Sequence, residues 1–223
     1  MSRVLLIAWC LVFGLFSTCF GAITYDADRM DVEAREGYFT FRYPVFRCDT
    51  AEEKAVVTKV NNTLKQLAKN EAATLQTTWE STKDEDKANF KSKDVDYKVT
   101  YLENKLASIV FTTTFAQGDR DALFFQDGWT FDLTTAEPVG WQKILSREDA
   151  NKLQKDYVLS LLRKGAARED YVIYWDTTKL KDLPTNYYVS SNGQVHFIFN
   201  PYTVGPASSG VIDLDTNCTV ING

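Results

Sequence analysis

His196 is the only histidine in the sequence, and no serine or cysteine sits in the strand-turn-helix pattern that would make it half of a nucleophile-base pair. With no second imidazole and no clustered thiolate beside it, it is a poor metal ligand, so a hydrogen-bonded structural role is the expectation. No glycine-rich phosphate cradle occurs, and neither a metal nor a cofactor is implied. Carboxylates are the one plentiful chemical resource: Asp119, Asp121, Asp127 and Asp132 fall around one loop. Glycoside hydrolysis needs only two such groups, so a carboxylate-dependent hydrolase stays open as the alternative to a binding protein, although solvated loop charge is the commoner meaning of such a group.

The elements that must position these residues follow from the spacing of apolar side chains. Tyr38 to Phe46 alternates aromatic and polar residues and reads as a first or edge strand closed by Pro44. Thr50-Ala51-Glu52-Glu53 has capping-box form, and Val56, Val60, Leu64, Leu67, Leu75 and Trp79 recur at helical spacing, so an amphipathic helix is predicted from about Ala51 to Glu80. A polar turn over Ser81 to Lys93 leads to a strand from Val95 with period two. Glu103-Asn104-Lys105 then closes a hairpin with the β-branched and aromatic run Leu106 to Ala116. Ala122 to Phe125 is followed by Asp127-Gly128 as a turn and by a strand over Trp129 to Leu133. Ser146 caps a second helix with Leu153, Tyr157 and Leu161 buried and Gly165 as its stop. Three strands finish the chain, over Asn186 to Ser190, Val195 to Phe199 and Val211 to Leu214, so the fold class is α+β, antiparallel sheets packed with one long and one medium helix.

Composition sets the address and the partners. Arg3 followed by the uncharged apolar stretch Val4 to Phe20 reads as a signal peptide over residues 1–21, cut after Gly21 or beside Ala22, which places the protein in the periplasm or outside the cell. An uncleaved anchor and a lipoprotein at Cys19 are the competing readings; after cleavage no membrane span remains. Loss of Arg3 makes the net charge one unit more negative than the −5 of the full chain, and with no basic cluster nucleic acid is not expected as a partner. Cleavage also leaves Cys48 and Cys218, expected as one disulfide in an oxidising compartment, with two independent buried thiols as the alternative.

The most specific segment is Tyr187-Tyr188-Val189-Ser190-Ser191-Asn192-Gly193-Gln194-Val195-His196-Phe197-Ile198-Phe199-Asn200-Pro201-Tyr202-Thr203-Val204-Gly205-Pro206, running to Gly210. It resembles the signature of the RsiV-like family (the 3298-type domain of unknown function with its preceding 4163-type segment): strand, turn, aromatic strand, then Pro-Tyr, a small or aliphatic pair, Pro and Gly. Trp129 to Ala136 with Gln142 to Leu145 is similar to the family's turn and helix entry, and Tyr43-Pro44 with Val60-Asn61-Asn62 to its N-terminal half. The resemblance spans Tyr38 to Asp213 and implies one domain over 22–223, with halves at about 38–116 and 122–215. Family members include the ectodomain of a lysozyme-sensing anti-sigma factor and a domain preceding a peptidoglycan deacetylase. The resemblance therefore implies a non-catalytic binding or sensing module of the cell envelope, with lysozyme or peptidoglycan as partner. No segment stands ahead of the apolar stretch, so an anti-sigma factor itself is not expected. Where many members carry Gly-Ala-His, this chain has Gly118-Asp119-Arg120-Asp121-Ala122, and no role of that histidine carries over. Two readings of Pro201-Tyr202 stand, a buried tyrosine corner or a ligand-facing loop in which Tyr202 is the anchor and Asp119 and Asp121 form the rim.

Overall fold

The computed structural model describes residues 23–34, 37–81, 93–115, 122–174, 180 and 182–221, with the side chains of 32–38 and of Trp79 outside the description. The expected signal peptide, the turn after the long helix and the Asp119 to Asp121 loop lie outside the described residues. The fold is α+β. Strands β1 (Thr24–Ala34), β2 (Gly37–Arg47), β3 (Lys93–Glu103), β4 (Leu106–Phe115), β5 (Leu123–Asp132) and β6 (Glu137–Pro138) form one sheet in that order. A second sheet has the order β7 (Tyr187–Val189), β8 (Gln194–Phe199) and β9 (Ile212–Thr219). The helices are α1 (Ala51–Ser81), α2 (Trp141–Ile144), α3 (Arg147–Lys152) and α4 (Lys155–Ala167).

Helix α1 begins where the capping box places it. The Glu53 amide donates to the Thr50 hydroxyl at 3.4 Å, and that hydroxyl donates to the Glu53 carboxylate at 2.6 Å. Its apolar stripe, Val57, Val60, Leu64, Ala68 and Ala72, is buried against Phe39, Phe41, Tyr43, Val95, Ile109, Phe111 and Phe131 of the large sheet. The helix is the crossover that lets β2 and β3 pair in parallel, over Phe39↔Lys93 to Phe41↔Val95. The β3–β4 hairpin turns on Asn104 and Lys105, both left-handed (φ 50° and 59°), the pattern of a two-residue type I′ turn. A bulge between Val99 and Tyr101 shifts the side-chain alternation. Val95, Tyr97 and Val99 therefore face the α1 core, whereas Tyr101 enters the second core.

That second core packs α2 to α4 on the small sheet. Leu153, Val158, Leu162, Val189, Val195 and Phe197 are fully buried within it. The two cores meet across β4 and β5, where the Ser108 and Thr130 hydroxyls share a buried hydrogen bond of 3.0 Å and the Val189 amide donates to Ser108 Oγ at 2.9 Å. Beyond Phe131 and Asp132, which pair with β6, the outer edge of β5 has no strand partner among the described residues. Two asparagine side chains stand in for one. Asn186 Oδ1 accepts from the Gly128 amide at 2.8 Å and Asn200 Oδ1 from the Gln126 amide at 2.7 Å, while both amide nitrogens donate to the Gln126 carbonyl at 2.8 and 2.9 Å.

Several sequence expectations are corrected here. Residues Thr24–Ala34 form a full strand, so β2 is the second strand, and it runs through Pro44 to Arg47. Phe46, on the same side of β2 as Pro44, turns its N–H and C=O to the Asn61 amide at 2.8 and 2.9 Å, away from β1. On that side β3 has already ended its pairing at Phe41, so the missing N–H of Pro44 costs no ladder bond. Asp127-Gly128 is no turn, because β5 is continuous from Leu123 to Asp132. The helix capped by Ser146, whose hydroxyl accepts from the Asp149 amide at 3.0 Å, breaks at Leu153-Gln154 into α3 and α4. Gly165 does not stop α4, which continues to Ala167; it is buried, and a Cβ there would lie 2.3 Å from the Tyr171 hydroxyl, so the position is held as glycine by that close contact.

Gly128 has a similar reason. A Cβ on it would lie 1.8 Å from the Tyr187 carbonyl oxygen, so only glycine lets β7 approach the β5 edge. Gly128→Ala is expected to cost about 2 to 4 kcal/mol in denaturant unfolding, since backbone would have to move. Gly140→Ala, whose new methyl group would meet only the end of the Gln142 side chain at 3.0 Å, is expected to stay within about 0.5 kcal/mol. Equal losses for the two variants would contradict the close-approach explanation.

Candidate functional site

Helix α1 covers the β1–β2 side of the large sheet and leaves the β4–β5 side partly open. The result is a cavity of about 370 Å³, within the size range of small-molecule sites. Phe41, Phe111 and Trp129 supply apolar surface, Glu71 and Leu67 come from α1, Lys93 from the start of β3 and Asp127 from β5. Thr185 and Asn186, just ahead of β7, close the far side. Asp127 and Phe111 are cross-strand partners, and Trp129 lies two residues on from Asp127, so all three point to the α1 side of the sheet.

The charges in this cavity are unequally satisfied. Lys93 is largely buried, with its ammonium 2.5 Å from Glu71 Oε2 and beside the rings of Phe115 and Phe39, at 5.4 and 6.0 Å from their centroids. Asp127 has no hydrogen bond or ion pair among the described residues. Asp127 is an exposed residue of the cavity wall; the desolvation it does feel pushes its carboxyl above the usual range, the nearby Glu71 charge adds to the rise, and Lys93 opposes it. The cavity thus combines an aromatic lining, one neutralised Lys-Glu pair and one uncommitted acid.

The residues singled out from sequence are dispersed. Asp119 and Asp121 lie outside the described residues, and Asp132 is occupied by its own turn, accepting from the Thr134 amide at 2.7 Å and hydroxyl at 2.6 Å. Tyr202 is 61% exposed, which overturns the buried-corner reading. Pro201 beneath it is buried, and Tyr202 holds a left-handed backbone, φ 69°, with its amide donating to the Gly205 carbonyl at 3.0 Å. The expected Cys48–Cys218 disulfide is absent. Both are free thiols: Cys48 packs beside the α1 core, whereas Cys218 is buried in the other core with Sγ donating to the Thr216 carbonyl at 3.5 Å.

His196 has the structural setting expected of it. On the outer side of the small sheet its Nδ1 lies 2.8 Å from Asp213 Oδ1, its ring stacks on Tyr188 at 4.9 Å, and the Tyr188 hydroxyl donates to Asp213 Oδ2 at 2.6 Å. Glu71, Lys93 and Asp127 escaped the sequence reading as a group because they sit on three different elements and share no motif. The only signal was Asp127 within a loop-like run of acids. Among the described residues no cluster of His, Cys, Asp and Glu could hold a metal, and no helix is long and apolar enough to cross a membrane.

Two measurements follow. Mass-spectrometric mapping of thiol labelling in denaturant without reductant is expected to find Cys48 and Cys218 both modified; protection of both until reductant is added would contradict the free-thiol structure. Burial raises the Asp213 carboxyl, but the hydrogen bonds from His196 and Tyr188, with the His196 charge, more than offset this and hold it below the usual range. A depressed carboxyl stabilises the fold above its unfolded value, about 3.9, and loses that contribution as pH falls through the folded value. Asp213→Asn is therefore expected to cost no more than about 1 kcal/mol near neutrality, given solvent screening, and progressively less as pH falls through the folded value. A cost independent of pH would contradict the assignment.

No family model and no curated relative matches the sequence. Solved structures do. A DUF3298 family member from Bacteroides fragilis superposes with a TM-score of 0.58 at 14% identity, covering 91% of this chain and 96% of that one. A DUF3298 family protein from Pseudomonas aeruginosa gives 0.52 at 12% identity, covering 90% of this chain and 94% of that one. The chain has the fold of the DUF3298 proteins, the fold that its resemblance to the RsiV-like signature implies.

Proposed function

We propose that this chain is a secreted or periplasmic, non-catalytic binding module of the cell envelope, and that the cavity between α1 and β5 receives a peptidoglycan-related fragment. The observation that carries this reading is the unequal state of the two cavity carboxylates: Glu71 is tied to Lys93 and only Asp127 is uncommitted. A glycosidase needs an acid and a second working carboxylate, whereas a binding site needs apolar surface for a sugar or peptide and a few polar groups to orient it. The raised Asp127 carboxyl is the one feature that favours the hydrolase alternative, since it suits a general acid. Exposed Tyr202 favours a protein partner of lysozyme type as a further option, because strain held at an exposed aromatic residue is a common mark of a contact site.

Biosensor titration of the purified protein with soluble peptidoglycan fragments and with a lysozyme, at low salt and at about 0.15 M, separates these readings. Fragment binding is expected, weakened at least about tenfold by Thr185→Trp, which puts bulk at the cavity wall on an exposed residue and leaves melting unchanged. Lysozyme binding that slows with salt and is lost in Tyr202→Ala would move the partner to that surface. Glycan cleavage abolished by Asp127→Asn would replace the binding reading with the hydrolase.

A further inference from the structure

We infer that the cavity is a receptor for a protonated amine: the fragment that enters it carries an ammonium group that seats on the Asp127 carboxylate beside Phe111 and Trp129. This rests on the binding reading above and narrows it to a ligand class. One charged side chain faces the cavity from each of three elements walling it, Glu71 from α1, Lys93 from β3 and Asp127 from β5. The Lys93 side chain is only 15% exposed and is committed to Glu71. The pair cancels, and among the described residues lining the cavity the remaining charge is the single negative charge of Asp127.

The surroundings of that charge discriminate among ligands. Phe111 lies directly across the β4–β5 ladder from Asp127, and Trp129 follows on the same face. Aromatic faces attract cations and disfavour anions, so the rings and the carboxylate act in the same sense on a positive group. An anionic ligand would meet an uncompensated negative charge. A neutral sugar would cover the exposed Asp127 carboxylate without supplying a counter-charge, which is costly. An ammonium group supplies both a counter-charge and hydrogen-bond donors, in the charge-assisted form that is stronger than a neutral bond. Such an amine has two sources in an envelope polymer, a sugar with a free amino group or a diamino acid side chain of a peptide, and the chemistry at Asp127 is the same for both.

Calorimetric titration of the purified protein at about pH 6 distinguishes them, with three probes: a glucosamine tetramer, its fully N-acetylated counterpart and Nα-acetyl-lysinamide. At least one amine probe is expected to bind about tenfold more tightly than the acetylated tetramer, and the identity of that probe assigns the source. Asp127→Asn is expected to reduce the preference to less than about twofold through weaker binding of the amine probe. Independently of that variant, the carbon-13 titration of the Asp127 carboxyl is expected to move to lower pH on saturation with the amine and to stay in place with the acetylated form. Equal affinity for amine and acetylated probes, or a preference that survives Asp127→Asn, would overturn the amine assignment while leaving the cavity as a glycan site. Absence of binding by all three would overturn the assignment and the cavity reading together.

Discussion

An unpaired strand edge must find partners for its N–H and C=O groups or remain a site for uncontrolled pairing, and β5 presents such an edge in the middle of this molecule. Asn186 and Asn200 satisfy it with side-chain amides, which carry the same donor and acceptor as a peptide group. Because these asparagines flank β7 and β8, the small sheet is held against the large one at a fixed place, close enough that position 128 must be glycine. The two cores then share the buried Ser108–Thr130 contact, and Thr185 and Asn186 become a wall of the cavity. Asn61 serves Phe46 in the same way on the other side of the large sheet, where β2 outruns its pairing with β3.

Local signals in the sequence were legible where local energetics decide the outcome. The Thr50–Glu53 cap, the Asn104-Lys105 turn, the alternation of β3 and the Ser146 cap all depend on residues within a few positions of one another. β1 was invisible because it carries Asp26, Asp28, Arg29 and Asp31 in place of β-branched residues. It persists as a strand because its full length pairs with β2, and its charges find partners there, Arg47 with Asp26 and the Tyr43 hydroxyl with Asp28. Asp127-Gly128 has the composition of a turn, yet its glycine answers to Tyr187, distant in sequence. Gly165 likewise answers to Tyr171 rather than to the end of a helix.

The same division governs the site. Asn200 stands immediately before Pro201-Tyr202 in the most specific segment of the sequence, and its structural duty at the β5 edge gives that segment an architectural meaning even though Tyr202 itself points to solvent. The cavity residues are brought together by α1 crossing the sheet and by β7 docking on β5, and no spacing rule links Glu71, Lys93 and Asp127. Cys48 and Cys218 illustrate the converse: compartment and count favoured a bridge, but the fold commits each to a different core.

Native-state hydrogen exchange at Gln126 and Gly128 tests the edge-capping interaction most directly. Both amides face away from β4 and, among the described residues, have only asparagine side chains as acceptors. In the native protein they are expected to exchange as slowly as amides inside the β4–β5 ladder, and Asn200→Ala is expected to speed Gln126 at least about tenfold while β4 amides retain their protection. Rapid exchange of Gln126 and Gly128 in the unaltered protein would contradict the capped edge and, with it, the placement of the two cores and the cavity between them.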